Sequence, residues 1–149
     1  MSLIAVDASS VVQLFFPESN SAQVTALFRD AAVANDDVVG PPLLPIEVTS
    51  VVRKRMRRDG LSLARATVVL NDFLAQPIVL LDPPRIHLHA LGLATAHSLS
   101  AYDAHYVALA EMLGCELWTD DQRLLRAAQR RLPFVRWIGD YRTAGQVQG

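Results

Sequence analysis

The run Ser100-Ala101-Tyr102-Asp103-Ala104-His105-Tyr106-Val107-Ala108-Leu109-Ala110-Glu111-Met112-Leu113-Gly114-Cys115-Glu116-Leu117-Trp118-Thr119-Asp120-Asp121-Gln122-Arg123-Leu124 reads as helix, short strand and helix with almost no linker between them. Ser100 is placed to cap the first helix, in a Ser-x-x-Asp variant of the capping box. Gly114 is placed to end it, because glycine accepts the left-handed conformation that closes a helix. Glu116 to Thr119 is an apolar strand, too short for a helix. A helix is expected again from Gln122 to Leu132. Helix and strand alternating at this density imply βαβ units around a parallel sheet.

The same alternation extends in both directions. Leu3-Ile4-Ala5-Val6 reads as a buried first strand, and Asp7 to Phe15 as a short helix stopped near Pro17. Ser21 to about Ala34 forms a second helix, with Val24, Leu27 and Phe28 on one face. Val38-Val39 suggests a strand before the turn at Gly40-Pro41-Pro42. Pro45 suits the first turn of a helix running to Arg58 and stopping at Asp59-Gly60. Ser62 caps the next helix, which ends before Pro77. Ile78 to Leu81 is a strand and Ile86 to His97 a helix. Val135 to Ile138 is the last strand, and the polar tail 139–149 is expected to be loosely held, leaving one α/β domain over 1–138.

Composition narrows the setting. The chain has 149 residues and is 51% hydrophobic, enough for a single folded core without staples. One cysteine, Cys115, excludes an internal disulfide and suits a reducing cytoplasm. No apolar run reaches the length of a membrane span. The net charge of −1 does not advertise a nucleic-acid binder. The distribution is more informative: the positive charge is 13 arginines and one lysine, Lys54, clustered at residues 53–58 and again at Arg123, Arg126, Arg130 and Arg131. Such clusters serve either as solvated helix faces or as contacts to phosphate or to an acidic partner.

Four acids stand out. Asp7 follows the first strand, Glu47 lies two residues after Pro45, Asp103 sits in the capping box, and Asp121 precedes the last long helix. Each has a local explanation as an N-cap or as a charge favoured by a helix dipole. Their shared placement needs more. In an open parallel sheet the carboxyl ends of the strands form one edge, where ligands bind. The fold would gather four carboxylates there, and like charges so crowded raise one another's pKa. A divalent cation relieves this. All-oxygen ligands favour Mg²⁺, with Mn²⁺ able to substitute, over zinc. Such a cation suits phosphodiester hydrolysis, since it generates hydroxide and neutralises phosphoryl charge. Ser9 and Thr119, each two residues from an acid, can orient a ligand or satisfy backbone.

These segments resemble a known family. Val6-Asp7-Ala8-Ser9, Pro42 to Val48, Ser100 to Ala110, and Cys115 to Leu124 are similar to the four acidic motifs of PIN-domain ribonucleases, in order and nearly spanning the chain to Ile138. The resemblance implies a three-layer α/β/α fold with a central parallel sheet and Mg²⁺-dependent cleavage of RNA. It assigns metal binding and catalysis to Asp7, Glu47, Asp103 and Asp121. Within the family the chain is similar to the VapC toxins, which implies a homodimer held inactive by a cognate antitoxin. Asp120 departs from the pattern as a fifth acid, and spacing does not separate it from Asp121.

Other features compete. His87 and His89 diverge on a helix, His97 is isolated, and His105 points away from Asp103, so a histidine metal site is not expected. On the helix bearing Glu47, Lys54 and Arg58 trail that acid along nearly one face, about 10 and 16 Å away. They are placed to contact RNA or an antitoxin segment. A haloacid-dehalogenase-like phosphatase needs a second acid two residues after Asp7, where Ser9 stands. A receiver domain needs a lysine at a late strand end, whereas Lys54 is mid-helix. The remaining alternative is a catalytically silent PIN fold that binds protein or RNA. All four acids are present, which argues against it.

Overall fold

The computed structural model describes residues 2–143. Five strands alternate with seven α-helices. They are β1 Leu3–Val6, α1 Ala8–Val11, α2 Ser21–Ala34, β2 Asp37–Gly40, α3 Leu43–Asp59, α4 Leu63–Leu74, β3 Ile78–Leu80, α5 Ile86–His97, α6 Ala101–Leu113, β4 Glu116–Thr119, α7 Gln122–Ala128 and β5 Val135–Trp137. The sheet is parallel throughout, in the order β3-β2-β1-β4-β5. Helices cover both faces, giving the three-layer α/β/α sandwich expected from the alternation.

β1 is the central strand. It pairs with β2 on one side, with Ala5 opposite Val39, and with β4 on the other, with Val6 opposite Trp118. The chain therefore travels outward from β1 through β2 to β3, then crosses back to set β4 on the other side of β1. The crevice at the carboxyl ends of β1 and β4 is the position where an open α/β sheet binds ligands. Burial explains why these strands are runs of apolar residues rather than alternations: Val6, Val39 and Leu117 are all fully buried, as parallel strands covered on both faces must be. α6 lies against both β1 and β4, and it buries Ala104, Tyr106, Val107, Ala108, Leu109 and Ala110. So continuous an apolar surface fits the helix nearest the sheet centre.

The element ends follow local chemistry. Ser62 and Ser100 accept hydrogen bonds from the amides of Arg65 and Asp103, capping α4 and α6 as expected. Gly114 closes α6 with φ +66°. Gly40 ends β2 for a different reason: a Cβ there would lie 2.8 Å from Leu44 Cδ2, so a side chain at this position would force the buried Leu44 to shift.

Some expectations need correction. α3 begins at Leu43, so Pro45 does lie in its first turn, but Glu47 falls in the second turn rather than the first, beyond the orphan amides of the helix start. The dipole explanation for Glu47 is therefore lost. α7 stops at Ala128 and continues as a 3₁₀ turn over Gln129–Arg131 rather than as α-helix to Leu132. The segment after Gly139 is not loose at its start. The Tyr141 hydroxyl donates to Asp30 at 2.8 Å, and its ring packs edge-on against Trp118. The rest of the expected tail, residues 144–149, lies outside the described residues.

Candidate active site

Asp7 is the most fully hydrogen-bonded member of the acidic set. It leaves β1 with extended backbone and caps α1, accepting from the Ser10 amide at 3.2 Å. Its carboxylate also accepts from the Ser9 hydroxyl at 2.7 Å and from the Thr119 hydroxyl at 2.5 Å. The two hydroxyls in turn accept the backbone amides of Asp120 and Asp121, at 2.8 and 3.0 Å. Ser9 and Thr119 lie 3.2 Å apart, but each has one proton and both protons point at Asp7. The hydroxyls thus fix the carboxylate and tie the end of β1 to the end of β4. The Ser10 hydroxyl adds a tie, donating to the Trp118 carbonyl at 2.9 Å.

Burial dominates the electrostatics. Asp7 is 6% exposed. Desolvation pushes its pKa up to about 6, against the opposing effect of its hydrogen bonds and with some help from the charge of Asp121. Desolvation also raises Glu47, with the charges of Asp103 and Asp121 adding to it and Lys54 opposing. Asp103 is raised by desolvation and by Asp121, and Arg123 partly offsets this. The mutual effects place all four expected acids in one electrostatic cluster. Asp121 is at the same time the N-cap of α7, accepting from the Arg123 and Leu124 amides at 2.9 and 3.2 Å. The capping and site readings of Asp7 and Asp121 are compatible, since a carboxylate has lone pairs for both.

The group fits a hard divalent cation in charge and in donor type. The donors are all oxygen, and Glu47 Oε1 is buried without a hydrogen-bond partner. A buried carboxylate oxygen left unsatisfied is costly unless something else meets it. Among the described residues, no three carboxylate, imidazole or thiol groups stand close enough to ligate one ion as the side chains now lie.

The structure separates Asp120 from Asp121. The Asp120 carboxylate accepts from Gln13 Nε2 at 2.6 Å, Asn20 Nδ2 at 3.1 Å and Trp137 Nε1 at 2.8 Å. It is thereby occupied as a structural clasp joining the chain after α1 to β5. Gln13, Asn20 and Trp137 carried no recognisable sequence signal for this role. Tyr106 was also missed. Its hydroxyl is buried beside Glu47: desolvation and the Glu47 charge raise the hydroxyl's pKa, while the hydroxyl in turn lowers that of the Glu47 carboxyl. The aromatic at position 106 reads as core from sequence, and only the fold brings its oxygen to the acids.

The basic residues divide. Lys54 is exposed and its charge reaches Glu47. Arg58 is engaged by its neighbour Asp59, with contacts of 3.0 and 3.3 Å. Arg55 is turned away from solvent, paired with Glu18 and Asp59 and lying 4.7 Å from the centre of the Phe16 ring. Arg123 borders a small cavity with Asp103 and Ser100. The stripe expected along α3 is thus partly neutralised at its far end, while Arg123 adds a cation near Asp103.

Comparison with known proteins agrees with this geometry. The family model of the PIN domain matches residues 4–130. Ribonuclease VapC9 of Mycobacterium tuberculosis is 31% identical over 133 residues, spanning 89% of this chain and 97% of that protein. Ribonuclease VapC3 of Pyrobaculum aerophilum is 30% identical over 123 residues, spanning 81% of this chain and 91% of that protein. The crystal structure of PAE2754 from Pyrobaculum aerophilum superposes with a TM-score of 0.68 at 25% identity, over 93% of this chain and 92% of that one. FitAcB from Neisseria gonorrhoeae shares the fold, with a TM-score of 0.53 at 18% identity over 84% of this chain and 92% of that one. A central β1, acids at the crevice beside it and a family match over most of the chain lead to one assignment: the protein belongs to the PIN-domain family, among its VapC-like members.

Proposed function

We propose that this chain is a divalent-metal-dependent endoribonuclease and the toxin of a toxin–antitoxin pair. The observation that carries the reading is the electrostatic cluster of Asp7, Glu47, Asp103 and Asp121 at the carboxyl edge of the sheet, with an unpartnered buried oxygen on Glu47. The named ribonuclease activity of the VapC relatives supports RNA as the substrate. In this reading the four acids hold Mg²⁺, or Mn²⁺ in its place. Bound there, the ion supplies an activated water and neutralises charge on the phosphoryl oxygens.

The chain's own groups do the positioning. Ser9 and Thr119 hold the Asp7 carboxylate in one orientation through their donated hydrogen bonds. Lys54 and Arg123 balance the acids from either side and are placed to carry phosphates of the RNA backbone. Arg58 would join them after releasing Asp59. A cognate antitoxin would cover the groove beside Lys54 and Arg58. A homodimer would cover Leu88 and Leu91, which are 60% and 67% exposed on α5. The reading places the protein in the cytoplasm, where its single cysteine stays reduced.

The deciding experiment measures cleavage of total cellular RNA by the purified protein. Cleavage should require Mg²⁺ or Mn²⁺, stop with EDTA, and fall by orders of magnitude in Asp103→Asn. Full activity in EDTA would refute the mechanism. Coexpression with the product of the adjacent reading frame should suppress cleavage and yield a stable complex.

A further inference from the structure

Tyr106 brings a hydroxyl into a cluster made otherwise of carboxylates. It follows Asp103 by three residues on α6, so the two side chains share one face of the helix. Its ring is only 2% exposed and packs in the core. A phenylalanine would fill that space equally well, so packing does not account for the oxygen. The hydroxyl is buried without a hydrogen-bond partner, and so is Glu47 Oε1 on α3. Burying either group unpaired is costly. One is a donor and the other an acceptor, and they are near enough for the hydroxyl to lower the pKa of the carboxyl. The charges of Asp7 and Asp103 also reach the hydroxyl. Those two acids have donors of their own. Asp7 accepts from Ser9, Ser10 and Thr119, and Asp103 is served by Ser100. Tyr106 is the donor left for Glu47.

We propose that Tyr106 is a positioning residue of the active site: its hydroxyl donates to the Glu47 carboxylate and fixes the orientation in which that acid meets a divalent cation. The inference rests on the metal-dependent reading of the four acids. Tyr106 does for Glu47 what Ser9 and Thr119 do for Asp7. A carboxylate has about four lone-pair sites, so accepting one hydrogen bond leaves it free to ligate. The hydroxyl is buried, which keeps it from RNA and limits it to acting through Glu47. Carried by a core ring on α6, it is a fixed reference for an acid on α3. It therefore sets Glu47 relative to Asp103 across two helices. Such alignment matters most for Mg²⁺, which demands near-octahedral geometry, and least for Ca²⁺, whose coordination is flexible.

Three measurements on the intact protein test this. The first is urea unfolding in EDTA of the wild type, Tyr106→Phe, Glu47→Ala and the double variant. The contact predicts non-additive effects, with a coupling of at least about fivefold in the unfolding constant. Additive effects would overturn the proposal. The second needs no change in the core: the ¹³Cζ resonance of Tyr106 should shift in Glu47→Ala, and an unmoved signal would overturn the contact. The third is calorimetric titration with Mg²⁺ and with Ca²⁺. Tyr106→Phe removes no charge and keeps the ring, so a merely structural role would leave both affinities or lower them alike. Positioning predicts about a tenfold loss for Mg²⁺ and a smaller loss for Ca²⁺. Unchanged Mg²⁺ affinity, or equal losses for the two ions, would overturn the proposal with the metal reading intact. A wild type that binds no Mg²⁺ would instead refute the metal reading itself, and the positioning role with it.

Discussion

Burying the Asp7 carboxyl raises its pKa to about 6, above the 3.8 of an exposed aspartate. The folded state then binds a proton more tightly than the unfolded state, so stability falls as pH rises from about 4 through about 6. At neutral pH the ionised group costs on the order of 3 kcal/mol, and the raised Glu47 and Asp103 act in the same direction. Thermal melts in EDTA should therefore show a higher Tm at pH 5.5 than at pH 7.5. Asp7→Asn should flatten that dependence and raise the Tm at pH 7.5 by several degrees, while RNA cleavage collapses. A fall in Tm would mean that the hydroxyl donors outweigh desolvation. Asp120 and Asp121 should behave oppositely. Asp120→Ala leaves three donors without an acceptor and should destabilise the fold by about 1–3 kcal/mol with Mg²⁺ affinity kept. Asp121→Asn should lose Mg²⁺ affinity, read by calorimetry. From sequence the family pattern points to Asp121 while spacing alone leaves Asp120 open, because the donors that claim Asp120 come from residues 13, 20 and 137.

Along α3 the charges point to a graded effect. Lys54 acts on Glu47 directly, whereas Arg58 is held by Asp59 at the last turn. Lys54→Glu should lower RNA affinity and reduce the salt dependence of binding by about one phosphate contact. Arg58→Glu should have the smaller effect. Equal, negligible effects in filter binding across a salt series would make the stripe a solvated helix face. Element identity was legible in the sequence wherever a cap or a glycine marked an end, as at Ser62, Ser100 and Gly114. It was less legible at Leu43, where α3 begins without a side-chain cap, and at Gln129, where α7 tightens into a 3₁₀ turn at a residue with φ +24°. The hydrogen bond between His87 and His105 was also hidden. It depends on how α5 packs against α6, and periodicity within one helix carries no information about its neighbour.

For the whole molecule, metal binding and stability are linked. Any ion that binds only the folded state stabilises it, by about 2.7 kcal/mol when its concentration is 100 times its Kd. Mg²⁺ should raise the Tm at pH 7.5, and the increment should shrink toward pH 5.5 as Asp7 takes up a proton. An increment unchanged with pH, or unchanged in Asp103→Asn, would place the ion elsewhere. The sheet order has a further consequence, for biosynthesis. The central pair β1 and β4 is joined by hydroxyl contacts spanning more than 100 residues, such as Ser9 to Thr119. Contacts so distant in sequence form late, because the intervening loop must close first. A nascent chain that has emerged through α5 carries Asp7 and Glu47 but neither Asp103 nor Asp121, and it lacks the strand that anchors Thr119 against Asp7. The acids can therefore assemble only after Asp121 has left the ribosome, and whatever chemistry they support is withheld through all the synthesis that precedes it.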